Sequence, residues 1–386
     1  MNLKGKGRHT YLLAGALLLF VAVLLLLATR NTAQLGPVVI AFFLCMALGV
    51  RGFAATKGLS FTLLILAVVT TALNYPEYFL EMNGFELAEL ITPLIQLIMF
   101  GMGTSMGLRD FIALAKAPKS VLVGVVAQFS LMPLIAFALA SVSGFSSEIS
   151  AGLILLGCAP VSVASPVMAY LARANVALCI TIVSVTTLLA PLLIPLLMKV
   201  YAGGFIPIAV FDMMWGIVKM VLLPIGAGLL FNKFLHGRAR WLDASMPLVS
   251  MGGIALIVAI IMAAGRESLL SMGLLLVGAV LLLNLLGYLA AYWMARLFRL
   301  REQDCRTISI TTGMQNAGLV SGIAKEMGKI ATVGLASAVC GPLMGFTSSV
   351  LASYWSGKKT ENLLAKNASV DKEYSLQSIE KVKDEE

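Results

Sequence analysis

Long apolar stretches, each about as long as a membrane-spanning helix, follow one another almost from end to end of this 386-residue chain. A helix needs about 20 consecutive apolar residues to cross the hydrocarbon core of a bilayer. Short polar gaps, rich in lysine, arginine or glutamate, separate the stretches. The pattern therefore predicts an all-α polytopic membrane protein with twelve spans, at about residues 10–29, 36–54, 58–75, 90–108, 119–141, 149–171, 176–199, 212–234, 243–264, 268–295, 305–325 and 331–356.

Two of these stretches contain glycine and polar residues, and the first also proline, where a spanning helix should continue. The first interruption, GCAPVSVASP, covers residues 157–166, and the second, TTGMQNAG, covers residues 311–318. Backbone groups without partners are costly in hydrocarbon, so non-helical chain occurs at this depth only against protein or a wet cavity. Interrupted helices in matching positions of two halves indicate a transporter site near the bilayer midplane. For the first stretch alone, the alternative is a packed helix that Pro160 and Pro166 kink.

The placement of the two interruptions also predicts how the chain is organised. When the first two spans are set aside, ten remain, and the interrupted span is fourth in each set of five. Because five is odd, the second set runs through the membrane in the opposite sense to the first. We therefore expect a ten-helix inverted-repeat (5+5) transporter core with two crossed broken helices at residues 58–356, with repeats at about 58–199 and 212–356, an extra N-terminal helix pair in residues 1–57, and a mobile polar tail at residues 357–386.

Composition and charge restrict the classes of protein that the apolar pattern allows. A hydrophobic fraction of 59%, a charged fraction of 12% and a mean hydropathy of +0.94 exclude an ordinary soluble enzyme. The net charge of +9 resides in short gaps rather than in a basic stripe with aromatics, so nucleic-acid binding is not predicted. Most basic gaps fall on one side of the predicted spans and an acidic loop at residues 77–89 on the other. The positive-inside rule then predicts a multi-pass cell-membrane protein with both termini in the cytoplasm.

The sequence offers no catalytic or metal-binding constellation. Its five cysteines have no CxxC spacing and its two histidines lie at segment ends, so we predict neither a metal site nor a cofactor. The segment GTSMG at residues 103–107 matches GxSxG, but it lacks the strand–turn–helix context of a nucleophile. Its glycines more simply predict close helix packing. We therefore predict that the protein is not an enzyme.

Broken helices expose free N–H groups, which suit an anion, and free carbonyls, which can coordinate a cation. Polar side chains beside these ends add further donors and acceptors. Two lone amides in apolar spans, Gln128 and Asn284, act either as contacts between helices or as part of the same site. We predict that the substrate path is lined by Ser162, Ser165, Thr311, Asn316 and Asn284.

The order of several motifs is similar to that of the bile acid:sodium symporter family, which includes bacterial members. Membership would imply a ten-helix fold in which a core domain with the crossed helices moves against a panel domain, giving alternating access to organic anions. The resemblance covers about residues 58–356 and is carried by IMFGMG at 98–103, Asp110-Phe111, AQF at 127–129, Met132-Pro133, GCAP at 157–160, VMAYLAR at 167–173, LLAPLL at 188–193, IVKMVLLP at 217–224 and GMQN at 313–316.

The resemblance also implies two sodium sites, and the first of them is largely substituted here. In the family, that site uses a Ser-Asn pair in the first broken helix, two hydroxyls on the next helix and a glutamate opening the second broken helix. Ser165 is kept, whereas Pro166, Cys179, Val183 and Thr311 occupy the other positions.

The second family site uses a glutamine on an earlier span, the same glutamate, and oxygens of the second broken helix. By resemblance it comprises Gln128, Thr312, Met314 and Gln315, and it lacks only the carboxylate, at Thr311. Neutral oxygens hold a cation less strongly, because a charge pair at low effective dielectric contributes several kcal/mol. We therefore expect weak or lost sodium dependence and no other cofactor.

These observations predict a secondary transporter of small organic anions, such as carboxylates or bile-acid-like amphipaths. A sodium-independent uniporter or exchanger is one alternative. Another is a membrane receptor that reuses the fold without transport. An arsenite-type permease would use a reactive thiol in the first broken helix, where Cys158 lies, but the surrounding motif fits the symporter pattern better.

Overall fold

The computed structural model of the protein describes residues 3–29, 34–53, 59–105, 118–235 and 240–357. The described chain is mostly helical, as the apolar pattern predicts. The tail beyond Gly357 and the Asp110-Phe111 motif lie outside the described residues.

The first three helices are α1 (Leu3–Ala28), α2 (Leu35–Val50) and α3 (Leu59–Asn74). Helix α1 packs against α2, and α2 packs against α3. Gly49 permits the first of these contacts, because a Cβ there would lie 2.7 Å from a methyl group of Leu13. Only 6% of the apolar segment of α1 is buried, so its side chains form an apolar surface suited to lipid.

A small polar hairpin follows α3 at the predicted acidic loop. Asn83 and Gly84 turn the chain with φ angles of 53° and 82°, which is the Asn-Gly chemistry that tight hairpins require. Around this turn lie α4 (Glu77–Leu80), β1 (Glu81–Met82), β2 (Phe85–Glu86) and a 3₁₀ turn (Leu87–Leu90), with β1 and β2 antiparallel.

Two of the later helices contain a turn of π-helix, which rotates the side chains that follow it. The helices are α5 (Ile91–Ser105), α6 (Pro118–Val126, the π turn Ala127–Leu131 and Met132–Val142), α7 (Ser147–Cys158), α8 (Ser165–Leu171), α9 (Val176–Ala202), α10 (Val210–Ile217, the π turn Val218–Leu222 and Leu223–Leu235), α11 (Arg240–Ala264), α12 (Arg266–Leu297), α13 (Glu302–Gly313), α14 (Ala317–Glu326) and α15 (Leu335–Ser356).

Each predicted span coincides with one helix, or, at the two interruptions, with a pair of helices. Within the described residues, seven helices are long and apolar enough to cross a membrane. The prediction of a polytopic helical protein is confirmed, whereas the inverted repeat stays a prediction. Shorter apolar segments are Leu35–Val50, Leu59–Asn74, Ser147–Cys158 and Leu248–Ala264.

The helices after α2 pack as two groups. In the first group, which we call the panel, α5 packs on α10 and α11, and α3 packs on α11. The second group, which we call the core, comprises α6–α9 and α12–α15 and contains both interrupted helices. The groups meet at several places, which include the contacts of α9 with α10, α15 with α3, α14 with α5 and α11 with α15. Gly103 of the GTSMG segment packs against the backbone of α10, since a Cβ there would lie 2.3 Å from the carbonyl oxygen of Ile225.

Candidate translocation site

The two interruptions lie against each other in the middle of the core. The N–H of Asn316 donates to the carbonyl of Pro160 at 2.9 Å, and the N–H of Ser162 donates to the carbonyl of Met314 at 2.8 Å. These bonds form an isolated antiparallel bridge between Val161 and Gln315. Each interruption therefore satisfies backbone groups that the other exposes, which is what non-helical chain needs at membrane depth. We call this region the crossing; it comprises residues 159–165 and 311–318.

Gln128 braces the crossing from α6. Its Nε2 donates to the carbonyl of Ala159 at 2.7 Å and to Oε1 of Gln315 at 2.8 Å. Gln315 in turn donates to the carbonyl of Thr312 at 2.6 Å. Gln128 is fully buried in the π turn of α6. The amide thus joins three segments, as the interpretation as a contact between helices predicts, and its role as a site residue stays a prediction.

Three buried polar atoms at the crossing have no hydrogen-bond partner among the described residues. They are Oε1 of Gln128, Oγ1 of Thr312 and Nδ2 of Asn316. Thr312 is fully buried and Asn316 is only 6% exposed. A buried polar group left unpaired costs about 1–3 kcal/mol, so unpaired atoms gathered at one place indicate a ligand. Two of the three are oxygens, which suit a cation, and the third is an amide donor, which suits an anion.

The residues of the second sodium site fit a sodium ion in kind, although none of them supplies a charge. The side-chain oxygens of Gln128 and Thr312 are unused, and the neighbouring backbone is non-helical at Met314. Gln315 is less available, because its Oε1 accepts from Gln128. Sites built from neutral oxygens and carbonyls do hold monovalent cations in membrane proteins.

The residues of the first sodium site do not fit a sodium ion. The hydroxyl of Ser165 donates to the carbonyl of Ser162 at 2.8 Å and lies 3.4 Å from the sulfur of Cys179. The hydroxyl of Thr311 donates back to its own helix, to the carbonyls of Thr307 and Ile308 at 3.0 Å each. Val183 adds a buried apolar side chain. Oxygen ligands are thus replaced by sulfur and carbon, and the remaining hydroxyls are engaged.

The second interruption ends at a helix N-terminus that is partly open. Oδ1 of Asn316 accepts from the N–H of Leu319 at 3.1 Å and so caps α14. Ala317 and Gly318 in the first turn are half-buried, and a Cβ at Gly318 would meet only Oδ1 of Asn316. At the first interruption, Ser162 caps the chain more weakly by accepting from the N–H of Ala164 at 3.3 Å. The positive end of α14 is therefore accessible beside an unpaired amide donor.

Asn284 supports the crossing from behind, on α12. Its Nδ2 donates to the carbonyl of Gly313 at 2.6 Å, where α13 ends, and its Oδ1 accepts from Thr347. Tyr288 lies 3.4 Å from the same threonine hydroxyl. Asn284 is 3% exposed, so it holds the break in place. The sequence does not single out Thr347 and Tyr288, because hydroxyl side chains are common inside apolar spans and do not by themselves indicate a site.

Arg306 lies at the start of the predicted span 305–325, next to a basic gap, and the structure buries it. It lies within α13, is 2% exposed, and pairs with Glu302 at 2.9 Å. Its guanidinium also donates to the carbonyl of Ala172 at 3.4 Å, where α8 ends, and to that of Trp355 at 3.2 Å, near the end of α15. An arginine that neutralises free helix carbonyls ties both broken helices to α15.

In a polytopic helical protein, two interrupted helices that cross in the core and leave polar atoms unpaired define the class of membrane transporters. Sequence comparison agrees with this class. Residues 92–272 match the family model described as "Sodium Bile acid symporter family". The chain is 34% identical over 310 residues to a protein of Bacillus subtilis named "Uncharacterized sodium-dependent transporter YocS", covering 80% of this chain and 94% of that protein.

Plant proteins are also similar. One is the Arabidopsis thaliana protein named "Probable sodium/metabolite cotransporter BASS1, chloroplastic", which is 31% identical over 68% of this chain and 65% of its own length. Another is the rice protein "Probable sodium/metabolite cotransporter BASS3, chloroplastic", which is 29% identical over 76% of this chain and 69% of its own length. The chain belongs to the sodium/bile acid symporter family, and these names describe transporters rather than enzymes.

Proposed function

We propose that this protein is a secondary transporter that carries small organic anions across the cell membrane by alternating access. The observation that carries this proposal is the crossing, where two interrupted helices pair by backbone hydrogen bonds and leave Gln128, Thr312 and Asn316 with unpaired polar atoms. Three of the five buried side-chain atoms that lack a hydrogen-bond partner among the described residues lie at the crossing, and such atoms destabilise a packed core unless a ligand pairs with them.

The proposed anion binds at the N-terminus of α14. Its carboxylate or sulfonate oxygens accept from Nδ2 of Asn316 and lie at the start of α14, where the helix dipole favours negative charge. Ser162 supplies a hydroxyl from the facing interruption, and Ser165, Thr311 and Asn284 shape the site from behind. Simple carboxylates and bile-acid-like amphipaths share this anionic group, so both belong to the proposed substrate class.

The proposed cation site holds at most one sodium ion, bound through Gln128, Thr312 and backbone oxygens near Met314. Support comes from the two unpaired oxygens and from the relatives whose names describe sodium-dependent transport. Without a carboxylate at Thr311, this site lacks a Coulomb attraction of several kcal/mol. The proposed coupling is therefore weak, and uniport or exchange is the mode that results if it is lost.

The proposed movement is that of the core against the panel. Both broken helices belong to the core, so the crossing can move with it as one unit. In the proposed orientation both termini are cytoplasmic, and the two repeats at 58–199 and 212–356 are inverted relative to each other. A rigid core that rocks past the panel exposes the crossing to each side in turn.

The test is uptake of a pooled set of labelled organic anions into proteoliposomes, with and without a sodium gradient. We expect saturable uptake of at least one anion, with accumulation that depends weakly on sodium. Uptake should be lost from liposomes that contain an Asn316→Leu variant, since leucine removes both the donor and the helix cap. Binding of an anion with no flux in either direction would contradict transport and favour a receptor.

A further inference from the structure

A cavity of about 310 Å³ lies away from the crossing, between the panel and the core. One wall is the first half of α10 and the other is the last turn of α14 with the residues that follow it. Its volume is at the lower end of the range for small-molecule pockets. The cavity is lined by Pro207, Ile208, Ala209, Asp212, Met213, Gly216, Ile217, Met220, Ile323, Glu326, Met327 and Lys329.

The cavity wall combines polar surface with adaptable apolar side chains. Met213 and Met220 come from α10, and Met327 follows α14. Methionine side chains are flexible and polarisable, so they adjust to ligands of different shape and contact aromatic rings favourably. Ile217 and Ile323, which are 1% and 2% exposed, form a firm base between them. These side chains suit a ligand with a substantial apolar part.

The charge at the rim of the cavity is negative. Asp212 and Glu326 form no ion pair with any residue that the structure describes. The lysine at the rim is already engaged, because Nζ of Lys329 pairs with Glu148. A carboxylate oxygen of Glu326 lies 3.8 Å from the position that a Cβ on Gly216 would occupy, one helical turn from Asp212. Two carboxylates, both on exposed residues, thus border one cavity and have no ion-pair partner among the residues that the structure describes.

The cavity and the crossing differ in the ligand that their chemistry favours. Ile323 follows Asn316 by seven residues on α14, a rise of about 10 Å. The crossing presents a helix N-terminus and an amide donor, whereas the cavity presents two carboxylates. An anion that suits the first is repelled by the second. The cavity is therefore not an extension of the proposed anion site.

We propose that this cavity binds a lipophilic organic cation, such as a quaternary ammonium compound with an aromatic group. The cationic head lies between Asp212 and Glu326, and the apolar part packs among the methionines. Because α10 belongs to the panel and α14 to the core, a ligand bound between them resists their closure. Such a cation therefore inhibits transport; this second statement rests on the proposed function, whereas the binding itself does not.

The binding test uses the full-length protein in lipid nanodiscs, titrated with benzyltriethylammonium by calorimetry. We expect saturable binding that weakens about fivefold in Asp212→Asn and in Glu326→Gln, because each loses one nearby charge. The matched control is Glu86→Gln, which removes an exposed carboxylate of β2 outside the cavity and should bind as the parent does. Benzenesulfonate, an anionic aromatic probe, should not compete.

A second variant tests the cavity itself. Gly216→Leu fills the space without a backbone clash, since only the far end of Glu326 lies near the added Cβ, and it improves helix propensity. We expect this variant to keep the parent's melting temperature and to lose the cation. Equal binding by the parent, Asp212→Asn and Glu326→Gln would overturn the proposal, as would unchanged binding by Gly216→Leu. Binding that leaves anion uptake unaffected would overturn the inhibition alone.

Discussion

Replacing Thr312 with valine distinguishes a sodium-binding hydroxyl from a structural one, because the two roles predict opposite changes in the stability of the sodium-free protein. Thr312 is fully buried, and its Oγ1 has no hydrogen-bond partner among the described residues. Valine keeps the shape and β-branching of threonine and removes only this oxygen. No hydrogen bond within the described part of the protein is lost in the exchange.

The magnitude follows from the unpaired state of the hydroxyl. In sodium-free buffer, the parent protein keeps an unsatisfied buried oxygen at a cost of about 1–3 kcal/mol, and the variant is relieved of part of it. In the presence of sodium, the variant lacks one ligand, and a similar free energy weakens sodium affinity by roughly 5- to 150-fold. The variant should therefore be more stable without sodium and should gain less stability when sodium is added.

The assay is thermal unfolding of the purified protein in potassium buffer over a range of sodium concentrations. The control is Thr187→Val on α9, where an equally buried hydroxyl donates to the carbonyl of Val183 at 2.7 Å. That variant should lose a little stability and keep the parent's response to sodium. The reasoning is refuted if Thr312→Val lowers the melting temperature in potassium and leaves the sodium response unchanged.

Three further variants probe the anion site, the contact between core and panel, and the support that Asn284 gives to the crossing. Asn316→Ser keeps a capping oxygen but removes Nδ2, so we expect the KM for the anion to rise about 10-fold in uptake assays with little change in melting temperature. Lys325→Glu breaks the 2.9 Å pair with Glu89 that joins core and panel, and should change the transport rate at most about fivefold, because surface pairs contribute about 0–1 kcal/mol. Asn284→Ala leaves the carbonyl of Gly313 without its donor and should destabilise the protein by about 1–3 kcal/mol in thermal unfolding.

For each of these variants, one result would contradict the prediction or its physical reason. An Asn316→Ser protein with the parent's KM would remove the amide from the anion site. If the ion pair acts by charge, the exchange variant with Glu89→Lys and Lys325→Glu should restore the parent's rate, and failure to do so would assign the effect to something else. Parent-like stability of Asn284→Ala would mean that water replaces the lost donor at Gly313.

The sequence was sufficient to predict the helices and the two breaks. Pro160 lacks an N–H and Gly313 precedes a residue with extended backbone, so both helices stop where the sequence indicates. The pairing of Gln128 with Gln315 is harder, because a lone glutamine in an apolar span signals only that some partner exists. The resemblance to the family places Gln128 and Gln315 in one sodium site, whereas residue spacing alone does not pair them.

Other features of the site depend on where separate helices meet. Thr347 is distant in sequence from Asn284 and Tyr288, and the three become one network only when α12 and α15 pack behind the crossing. Arg306 follows Arg299 and Arg301, which lie outside helices, and only the packing around α13 shows that Arg306 is buried. The cavity beside Asp212 likewise depends on how α10 and α14 are spaced, which a linear pattern does not encode.

The number of sodium ions moved with each anion tests the account most directly. It can be measured in proteoliposomes as the membrane potential at which net flux of the transported anion reverses under a fixed sodium gradient. The account predicts one sodium ion or none for each anion, because among the described residues of the two sodium sites the side-chain oxygens of Gln128 and Thr312 are unpaired, whereas the hydroxyls of Ser165 and Thr311 are engaged. Tight coupling of two sodium ions to each anion would contradict it, since the first sodium site would then have to function with Cys179 and Val183 in place of oxygen ligands.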